Sequence, residues 1–275
     1  MAEPAVSYFS GVNLRYGDVR ALDQVCFDLR PGETIVIFGA AGSGKTMLVK
    51  TAAGLVKPDA GRVWLFGQEM TRLRERALYS IRSQVGILFQ EGGLFDSLTI
   101  AENVAYPLLN QPGLHENGKR PTAASVEDRV RETLRFVELE HTLDKYPSEL
   151  SGGMRRRVGI ARAIVTHPKL VLYDSPTAGL DPITANTIIA LLVKERDSRN
   201  TAAIMVTHRY QDGHIMANFR YNPDSGRIER TMRSGNRDED LKTRFFVMRD
   251  GQLVFEGTEP ELRSCRDEYV RKFAR

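Results

Sequence analysis

The chain has 275 residues, enough for one large domain with a subdomain and an appended tail. A hydrophobic fraction of 41% and a charged fraction of 27% are typical of a globular protein with a proper core. The net charge of +4 is compatible with nucleic acid or with anionic lipid headgroups. Acidic residues are interspersed throughout, and neither an aromatic–basic RNA-binding module nor a helix-turn-helix pattern occurs, so we expect no nucleic-acid partner.

The two cysteines, Cys26 and Cys265, lie far apart in the sequence and form no metal-binding spacing. We expect them to be reduced thiols of a cytosolic protein. The start of the chain lacks a basic segment followed by an apolar one, so we expect no signal peptide. No apolar run approaches the roughly 18 residues that span a bilayer, so any membrane span would come from another subunit.

The sequence predicts two kinds of strand. Residues 6–29 alternate between apolar and polar, which predicts antiparallel strands with one buried face. Residues 34–38 form a continuous apolar run, which predicts a strand buried on both faces, and similar runs follow at 169–173 and 201–206. Since helical patterns separate these buried strands, they indicate a parallel α/β core.

The other segments have weaker patterns. Residues 72–143 are mainly helical in pattern, with a polar break at 111–125 that we expect to be an exposed loop. Residues 219–244 are polar and rich in charge, which predicts an inserted hairpin or a flexible excursion. Two strand-like runs within 244–255 flank an Asp-Gly turn and predict a hairpin. We expect the chain to end in a short helix over 260–273.

A glycine-rich loop follows the first buried strand and precedes a helical segment. It fits the pattern GxxxxGK followed by Ser or Thr, and its residues are Gly39, Ala40, Ala41, Gly42, Ser43, Gly44, Lys45 and Thr46. In this pattern backbone N–H groups and the helix N-terminus converge on phosphate, the lysine reaches the β- and γ-phosphates, and the hydroxyl binds Mg²⁺. A chance glycine turn is the alternative, but the strand–loop–helix context favours a nucleotide site. This loop alone does not separate a kinase, a GTPase and a transporter ATPase.

A second motif narrows the class. Residues 150–158, LSGGMRRRV, resemble the LSGGQ signature of ABC ATPases, and residues 159–163 continue it as the family does. Ser151, Gly152 and Gly153 open a helix whose N-terminal amides can bind an anion. In the family this anion is the γ-phosphate of ATP held by a partner subunit. An ordinary serine cap would explain Ser151 alone, but not the arrangement that follows it.

Five further residues occur in the family's order. Gln90 resembles the Q-loop glutamine, Asp174 the Walker B aspartate and Asp181 the D-loop aspartate. His208 resembles the switch histidine that contacts the γ-phosphate, and Tyr16 occupies the position of the ring that stacks on adenine. Each is a weak signal alone, because a lone His or Tyr is more often structural. Together, in family order across the chain, they are a specific match.

The resemblance implies an α/β fold, with a P-loop NTPase core around a parallel sheet, an antiparallel β subdomain and a helical subdomain. It implies an ABC nucleotide-binding domain over residues 1–260 and a helical tail at 261–275. The helical subdomain is expected at about 90–165 and the inserted excursion at about 219–244.

The resemblance also implies ligands, partners and location. ATP and Mg²⁺ are the expected cofactors, with Thr46, Gln90 and Asp174 at the Mg²⁺ site. ATP is expected to be sandwiched in a homodimer beneath a polytopic permease. The chain would then act as a peripheral ATPase on the cytoplasmic face of the inner membrane.

One position departs from the family pattern. The family places a glutamate after the Walker B aspartate to polarise the attacking water, whereas this chain has Ser175 there. A serine hydroxyl is neutral at cellular pH and a poor proton acceptor, and a positioned general base contributes about 10²–10⁴-fold. We therefore hypothesise firm ATP binding and slow intrinsic hydrolysis, unless another group orients the water or the substitution was engineered.

Other features point to a branch of the family. Met154 stands where glutamine is commonest, and residues 89–108 and 179–184 resemble ATPases paired with MCE (mammalian cell entry) lipid-transport systems. This branch implies an MCE-domain partner and a phospholipid or other hydrophobic ligand. Leu94, Phe95 and Tyr106 lie where the family docks its permease, although core packing explains each of them at least as well.

Three classes of function follow from these features. The leading hypothesis is a subunit that energises an ABC membrane transporter. The second is an ATP-gated regulatory subunit with little hydrolysis, which Ser175 favours, whereas the intact Gln90, Asp181 and His208 favour a working ATPase. The third is an ABC protein of translation or DNA repair, but such proteins usually carry two cassettes or a long coiled coil.

Overall fold

The computed structural model describes residues 5–90, 92–111, 121–231 and 242–274, and these form twelve strands and nine α-helices. The strands are β1 (Ser7–Tyr16), β2 (Val19–Leu29), β3 (Thr34–Gly39), β4 (Ala60–Leu65), β5 (Gln68–Glu69), β6 (Val85–Leu88), β7 (Leu170–Asp174), β8 (Ala202–Val206), β9 (Phe219–Asn222), β10 (Arg227–Arg230), β11 (Thr243–Arg249) and β12 (Gln252–Gly257). The helices are α1 (Lys45–Ala52), α2 (Glu75–Arg82), α3 (Ile100–Asn110), α4 (Ala123–Phe136), α5 (Gly152–Ile164), α6 (Pro182–Arg199), α7 (Tyr210–Asn218), α8 (Glu259–Ser264) and α9 (Glu268–Arg271). Much of the predicted loop at 111–125 and part of the excursion at 219–244 lie outside the described residues.

The central sheet has six strands in the order β12-β11-β3-β8-β7-β6. Five of them run parallel, and β12 pairs antiparallel with β11 at one edge. Strands β3, β7 and β8 are buried along their whole length, because their continuous apolar runs fit a sheet covered on both faces. The predicted parallel core and the predicted fold class are therefore confirmed.

The second sheet is antiparallel, in the order β2-β1-β4-β5, and it packs over one face of the central sheet. Phe9 and Phe27 stack with 4.4 Å between ring centroids, and Phe27 meets Phe246 of the central sheet edge-on at 5.6 Å. The sequence predicted the first two strands of this sheet but not β4 or β5. Strand β4 has a glycine and an arginine as its second and third residues, so its short pattern is weak, and its pairing with β1 is a long-range contact.

Helices α3, α4 and α5 form the helical part, and their apolar residues belong to a cluster that also includes residues of the central sheet. Helix α3 starts with a capping box, in which Thr99 accepts from the Glu102 N–H and the Glu102 carboxylate accepts from the Thr99 N–H. The side chain of buried Asn103 accepts from the Phe95 N–H at 2.8 Å and donates to the Phe95 carbonyl at 3.0 Å. These bonds fix the segment before α3.

The C-terminal part contains two hairpins and two short helices. Strands β9 and β10 form an antiparallel hairpin in the first part of the 219–244 segment, and β11 and β12 form the predicted hairpin. The prediction of one helix over 260–273 is wrong, because Cys265 is extended (φ −60°, ψ 137°) and ends α8. Asp267 then caps α9 as a separate helix. In the described part of the chain, no helix combines the length and hydrophobicity needed to cross a bilayer.

Candidate nucleotide-binding site

The phosphate loop begins where β3 ends, and its backbone packs closely against the rest of the domain. Gly39 has φ +154°, and a Cβ there would lie 2.5 Å from both the Met248 carbonyl oxygen and Ser43 Oγ. Gly44 has φ +103°, and a Cβ there would lie 2.2 Å from the Ala21 carbonyl oxygen. Glycine is therefore required at both positions, by conformation and by space.

Lys45, the first residue of α1, holds its ammonium inside this loop. Its Nζ donates to the carbonyl oxygens of Gly39 at 2.8 Å and Ala40 at 2.7 Å, and to Ser43 Oγ at 3.3 Å. Burial lowers the pKa of Lys45, and the nearby Asp174 carboxylate opposes that shift. The loop therefore holds a buried cation at the N-terminus of α1, and a cation beside a helix N-terminus suits a phosphate.

Two predicted Mg²⁺ positions come together beside the loop. Thr46 Oγ1 donates to Asp174 Oδ2 at 3.2 Å, and Asp174 ends the buried strand β7. A hydroxyl and a carboxylate are oxygen ligands of the kind Mg²⁺ prefers, so this pair fits the ion. Gln90 follows β6, whose Leu88 pairs with Tyr173 of β7. It therefore lies at the same carboxyl end of the parallel strands as Asp174, and its side chain is exposed.

Ser175 and His208 follow the ends of β7 and β8, which are neighbouring strands. Ser175 is buried with φ +53°, and its hydroxyl donates to Asp174 Oδ1 at 3.2 Å. Its N–H donates to the Val206 carbonyl at 2.9 Å. Burial lowers the pKa of His208, and the positive charge of Lys45 lowers it further against the attraction of Asp174. At neutral pH the His208 imidazole is therefore neutral and can accept or donate one hydrogen bond.

The predicted signature and D-loop residues form a second group. Ser151 caps α5 by accepting from the Met154 N–H at 3.2 Å. Asp181 caps α6 by accepting from the N–H groups of Ile183 and Thr184, both at 3.0 Å, and the bonds from Thr184 lower the pKa of Asp181.

The two groups differ in their connections. The N-termini of α5 and α6 touch, since a Cβ on Gly153 would lie 2.5 Å from Thr184 Cγ2, while Gly152 faces Leu180. Within the described residues, the side chains of Ser151 and Asp181 bond to their own helices and not to the phosphate loop of the same chain. Tyr16 lies at the end of β1, and 56% of its surface is exposed, so its ring is accessible for stacking on a base.

The sequence did not identify Arg156 as part of this site. Its buried guanidinium donates to the carbonyl oxygens of Phe89, Gln90 and Ala178, and so connects α5 to the segments that follow β6 and β7. Three consecutive arginines, 155–157, were visible in the sequence. Nothing local distinguishes the buried one from its neighbours.

Asp212 was also missed. It lies in α7 with no exposed surface, and its Oδ2 accepts from Thr177 Oγ1 at 2.5 Å and from Thr207 Oγ1 at 2.6 Å. Thr177 is two residues after Ser175, and Thr207 directly precedes His208. Asp212 therefore ties together the two segments that carry these candidate catalytic residues. An acidic residue four positions after the switch histidine was the only signal in the sequence.

The fold and the site together define a nucleotide-binding protein of the phosphate-loop class. Residues 22–178 match the ABC transporter family. The methionine import ATP-binding protein MetN of Carboxydothermus hydrogenoformans is 40% identical over 69% of this chain and 54% of its own length. The intermembrane phospholipid transport system ATP-binding protein MlaF of Haemophilus influenzae is 30% identical over 95% of this chain and 87% of its own length. This chain belongs to the ABC transporter family.

A solved structure supports the same assignment. The dimeric post-hydrolysis structure of the ATP-binding cassette MJ0796, bound to ADP and Pi, matches with a TM-score of 0.73 and 27% identity over 92% of this chain and 98% of that chain. The chain is an ABC-type ATPase domain whose cofactors are ATP and Mg²⁺. It spans about half the length of the MetN relatives that it matches, 54% of the first.

Proposed function

We propose that this chain is the ATP-binding subunit of an ABC membrane transporter, and that ATP closes a homodimer of it. The observation that carries this proposal is the division of the site into two groups. Lys45 and Thr46 of the phosphate loop lie beside Asp174. Ser151 and Asp181 instead cap helices elsewhere on the same chain. A second copy would bring its signature helix to the first copy's phosphate loop. The similar cassette MJ0796 is described as dimeric.

In the proposed mechanism each residue has a defined task. The loop amides and Lys45 would bind the phosphates, and Thr46 and Asp174 would hold Mg²⁺, which would screen the phosphate charge. Gln90 and His208 lie at the same sheet edge and would contact the ion and the γ-phosphate. Catalysis then depends mainly on positioning and electrostatics, which these residues supply without forming a covalent intermediate.

The proposed substrate is a phospholipid or another hydrophobic ligand, with an MCE-domain protein as a further partner. Two observations support this choice over a small polar solute. The match to MlaF, at 30% identity, covers 95% of this chain and 87% of MlaF, whereas the match to MetN, at 40% identity, covers 69% of this chain and 54% of MetN. The segment at residues 89–108 also resembles the MCE-associated branch. The proposed location is the cytoplasmic face of the inner membrane, bound to the permease.

The proposed permease-docking surface lies beside α3. Phe95 and Tyr106 each expose 41% of their surface, and their rings lie 4.6 Å apart. The Arg162 guanidinium lies 5.5 Å from the Phe95 ring centroid, and a cleft of about 440 Å³ opens between these side chains and Phe89. Leu94 is half-buried against the core, so it supports this surface rather than forming it. Exposed aromatic residues that line a cleft suit a helix from a permease.

Co-purification tests the docking surface and the transporter assignment together. Phe95→Asp should abolish capture of the chain by its tagged permease while ADP affinity is unchanged. Tyr79→Asp, at an exposed aromatic residue of α2 with a similar exposed area, is the matched control and should be captured like the wild type. Capture of Phe95→Asp at the wild-type level would remove this surface from the proposal.

Transport by the reconstituted complex tests the substrate. Vesicles that contain the complex and a fluorescent phospholipid should transfer it in an ATP-dependent manner, and methionine or sulfate should not stimulate ATP hydrolysis. Stimulation by either solute, with no lipid transfer, would contradict the lipid proposal and leave the ATP-binding assignment intact.

A regulatory subunit that binds ATP and barely hydrolyses it is the second candidate. The observation that favours it is Ser175, whose hydroxyl is bonded to Asp174 and offers no proton acceptor to a water. The two candidates differ in the rate of ATP hydrolysis by the complex with its permease. A rate above about 1 s⁻¹, in the range of ordinary enzymes, would favour the transporter subunit.

A further inference from the structure

A hydroxyl from the C-terminal tail lies against the phosphate loop. Tyr269 of α9 accepts a hydrogen bond from the Ala40 N–H at 3.0 Å, although the two residues are 229 positions apart. The same hydroxyl donates to the Met248 carbonyl oxygen at 2.9 Å. Ala40 is the second residue of the loop, and Met248 pairs with Gly39 in the central sheet.

This hydroxyl lies where the β3–β11 ladder ends. The two strands are paired in parallel up to Gly39 and Met248, and there the chain turns away into the phosphate loop. The next hydrogen bond of this ladder would join the Ala40 N–H to the Met248 carbonyl. Instead, the Tyr269 hydroxyl accepts from the Ala40 N–H and donates to the Met248 carbonyl. Because the loop backbone forms the phosphate cradle, the hydroxyl fixes the point at which the cradle begins.

Helix α9 is seated so that Tyr269 faces the loop. Asp267 accepts from the N–H groups of Tyr269 at 2.8 Å and Val270 at 3.1 Å, and Val270 is buried in the core. Phe273, two residues beyond the end of α9, meets the Tyr269 ring edge-on at 5.3 Å. Phe273 also stacks on Phe38, the residue before Gly39, at 6.1 Å.

A second contact holds the loop from the same side. The Gly251 N–H, in the turn between β11 and β12, donates to the Ser43 carbonyl at 3.1 Å. The hairpin and α9 therefore brace the loop at two points, Ser43 and Ala40. Both braces come from the C-terminal part of the chain, and one comes from the tail at 261–275 that the sequence separated from the nucleotide-binding domain.

We propose that Tyr269 is a positioning residue for the phosphate loop, which makes the C-terminal tail part of the nucleotide site. The hydroxyl orders the loop before the nucleotide binds, so the free energy of binding is not reduced by the cost of ordering the loop. This inference rests on the proposed nucleotide-binding function and assigns a new role in it. Tyr269 acts through the backbone of Ala40 and does not need to touch the nucleotide.

Tyr269→Phe tests this inference because it keeps the ring contacts and removes only the hydroxyl. We expect the Kd for ADP to rise about three- to tenfold, the range that corresponds to one lost neutral hydrogen bond. The Kd for adenosine, which has no phosphate, should change less than about twofold, since the phosphate loop does not hold the base or ribose. Competition against a fluorescent ADP analogue measures both constants on the full chain.

Two further variants define the comparison. Tyr79→Phe removes a hydroxyl from an exposed tyrosine of α2 and should leave both constants unchanged. Phe273→Leu weakens the seat of α9 on Phe38 and should reproduce the loss that is selective for ADP. Thermal unfolding of each variant confirms that it is folded at the temperature of the assay.

The outcomes separate this inference from the proposed function. Unchanged or tighter ADP binding by Tyr269→Phe overturns the inference. Equal weakening for ADP and adenosine also overturns it, because that result would mean a general distortion of the site. If the wild-type chain binds neither ADP nor adenosine, the nucleotide-binding function itself fails.

Discussion

Ser175 occupies the position of the glutamate that polarises the attacking water in the family, and we expect Ser175→Glu to raise the rate of ATP hydrolysis. The serine hydroxyl is buried and donates to Asp174 Oδ1 at 3.2 Å, so it points towards a carboxylate and carries no negative charge of its own. A glutamate at this position would supply a carboxylate proton acceptor in place of the serine hydroxyl. The backbone, at φ +53°, would be equally strained with either residue.

The size of the increase follows from the surroundings of Ser175. A positioned general base contributes about 10²–10⁴-fold. We expect the lower end, about 10²-fold or about 2.7 kcal/mol of barrier, because a carboxylate at 175 would lie beside that of Asp174 and like charges resist ionising together. The ammonium of Lys45, which attracts the Asp174 carboxylate, limits this repulsion.

The assay is steady-state phosphate release at saturating Mg-ATP, with the chain assembled on its permease. Ser175→Gln is the matched control, because glutamine has the size of glutamate and its hydrogen-bonding reach but accepts no proton. We expect Ser175→Gln to remain within about threefold of the wild type. Equal rates for the wild type and Ser175→Glu would refute the reasoning, and so would equal stimulation by Glu and Gln.

Three other predictions test the described contacts. Burial raises the pKa of Glu195 to about 7, well above its ordinary value, so the folded state favours the protonated form. The stability of the wild type relative to Glu195→Gln is therefore greatest at acid pH and falls as pH rises through 7. Denaturant unfolding should show that the free energy of unfolding of the wild type, relative to that of Glu195→Gln, decreases by about 2.5 kcal/mol between about pH 5 and pH 8. Asp212→Ala removes the carboxylate that accepts hydrogen bonds from Thr177 and Thr207. In the Ser175→Glu background this change should lower kcat about tenfold and leave the affinity for ADP unchanged. An equal loss of ADP affinity would contradict a role in catalysis. Gly153→Ala adds a methyl group 2.5 Å from Thr184 Cγ2, and it should weaken ATP-dependent dimerisation in light scattering while monomers still bind ADP.

Features that depend on neighbouring residues could be predicted from the sequence. Continuous apolar runs predicted β3, β7 and β8 because burial on both faces leaves no room for alternation. The phosphate loop was predictable because Gly39, Gly42 and Gly44 have positive φ angles that other residues rarely adopt, which is a local requirement.

Features that depend on long-range contacts could not. The strand β4 is stabilised by pairing with β1, and its own residues are a weak strand signal. Arg156 and Asp212 act by connecting segments that the sequence keeps well apart, Gln90 with Ala178 and Thr177 with Thr207. Tyr269 reaches a loop 229 positions away, and only the packing of α9 brings it there.

We expect nucleotide binding and hydrolysis to vary separately in this chain. Nucleotide binding depends on a loop whose backbone is fixed at many points, including Lys45, Gly39 and the brace from Tyr269. The general base depends on one side chain, at position 175. Substitution there leaves the loop and both helix caps of the proposed dimer interface unchanged. Ser175→Glu should therefore speed reopening of the ATP-bound dimer without weakening the binding that closes it.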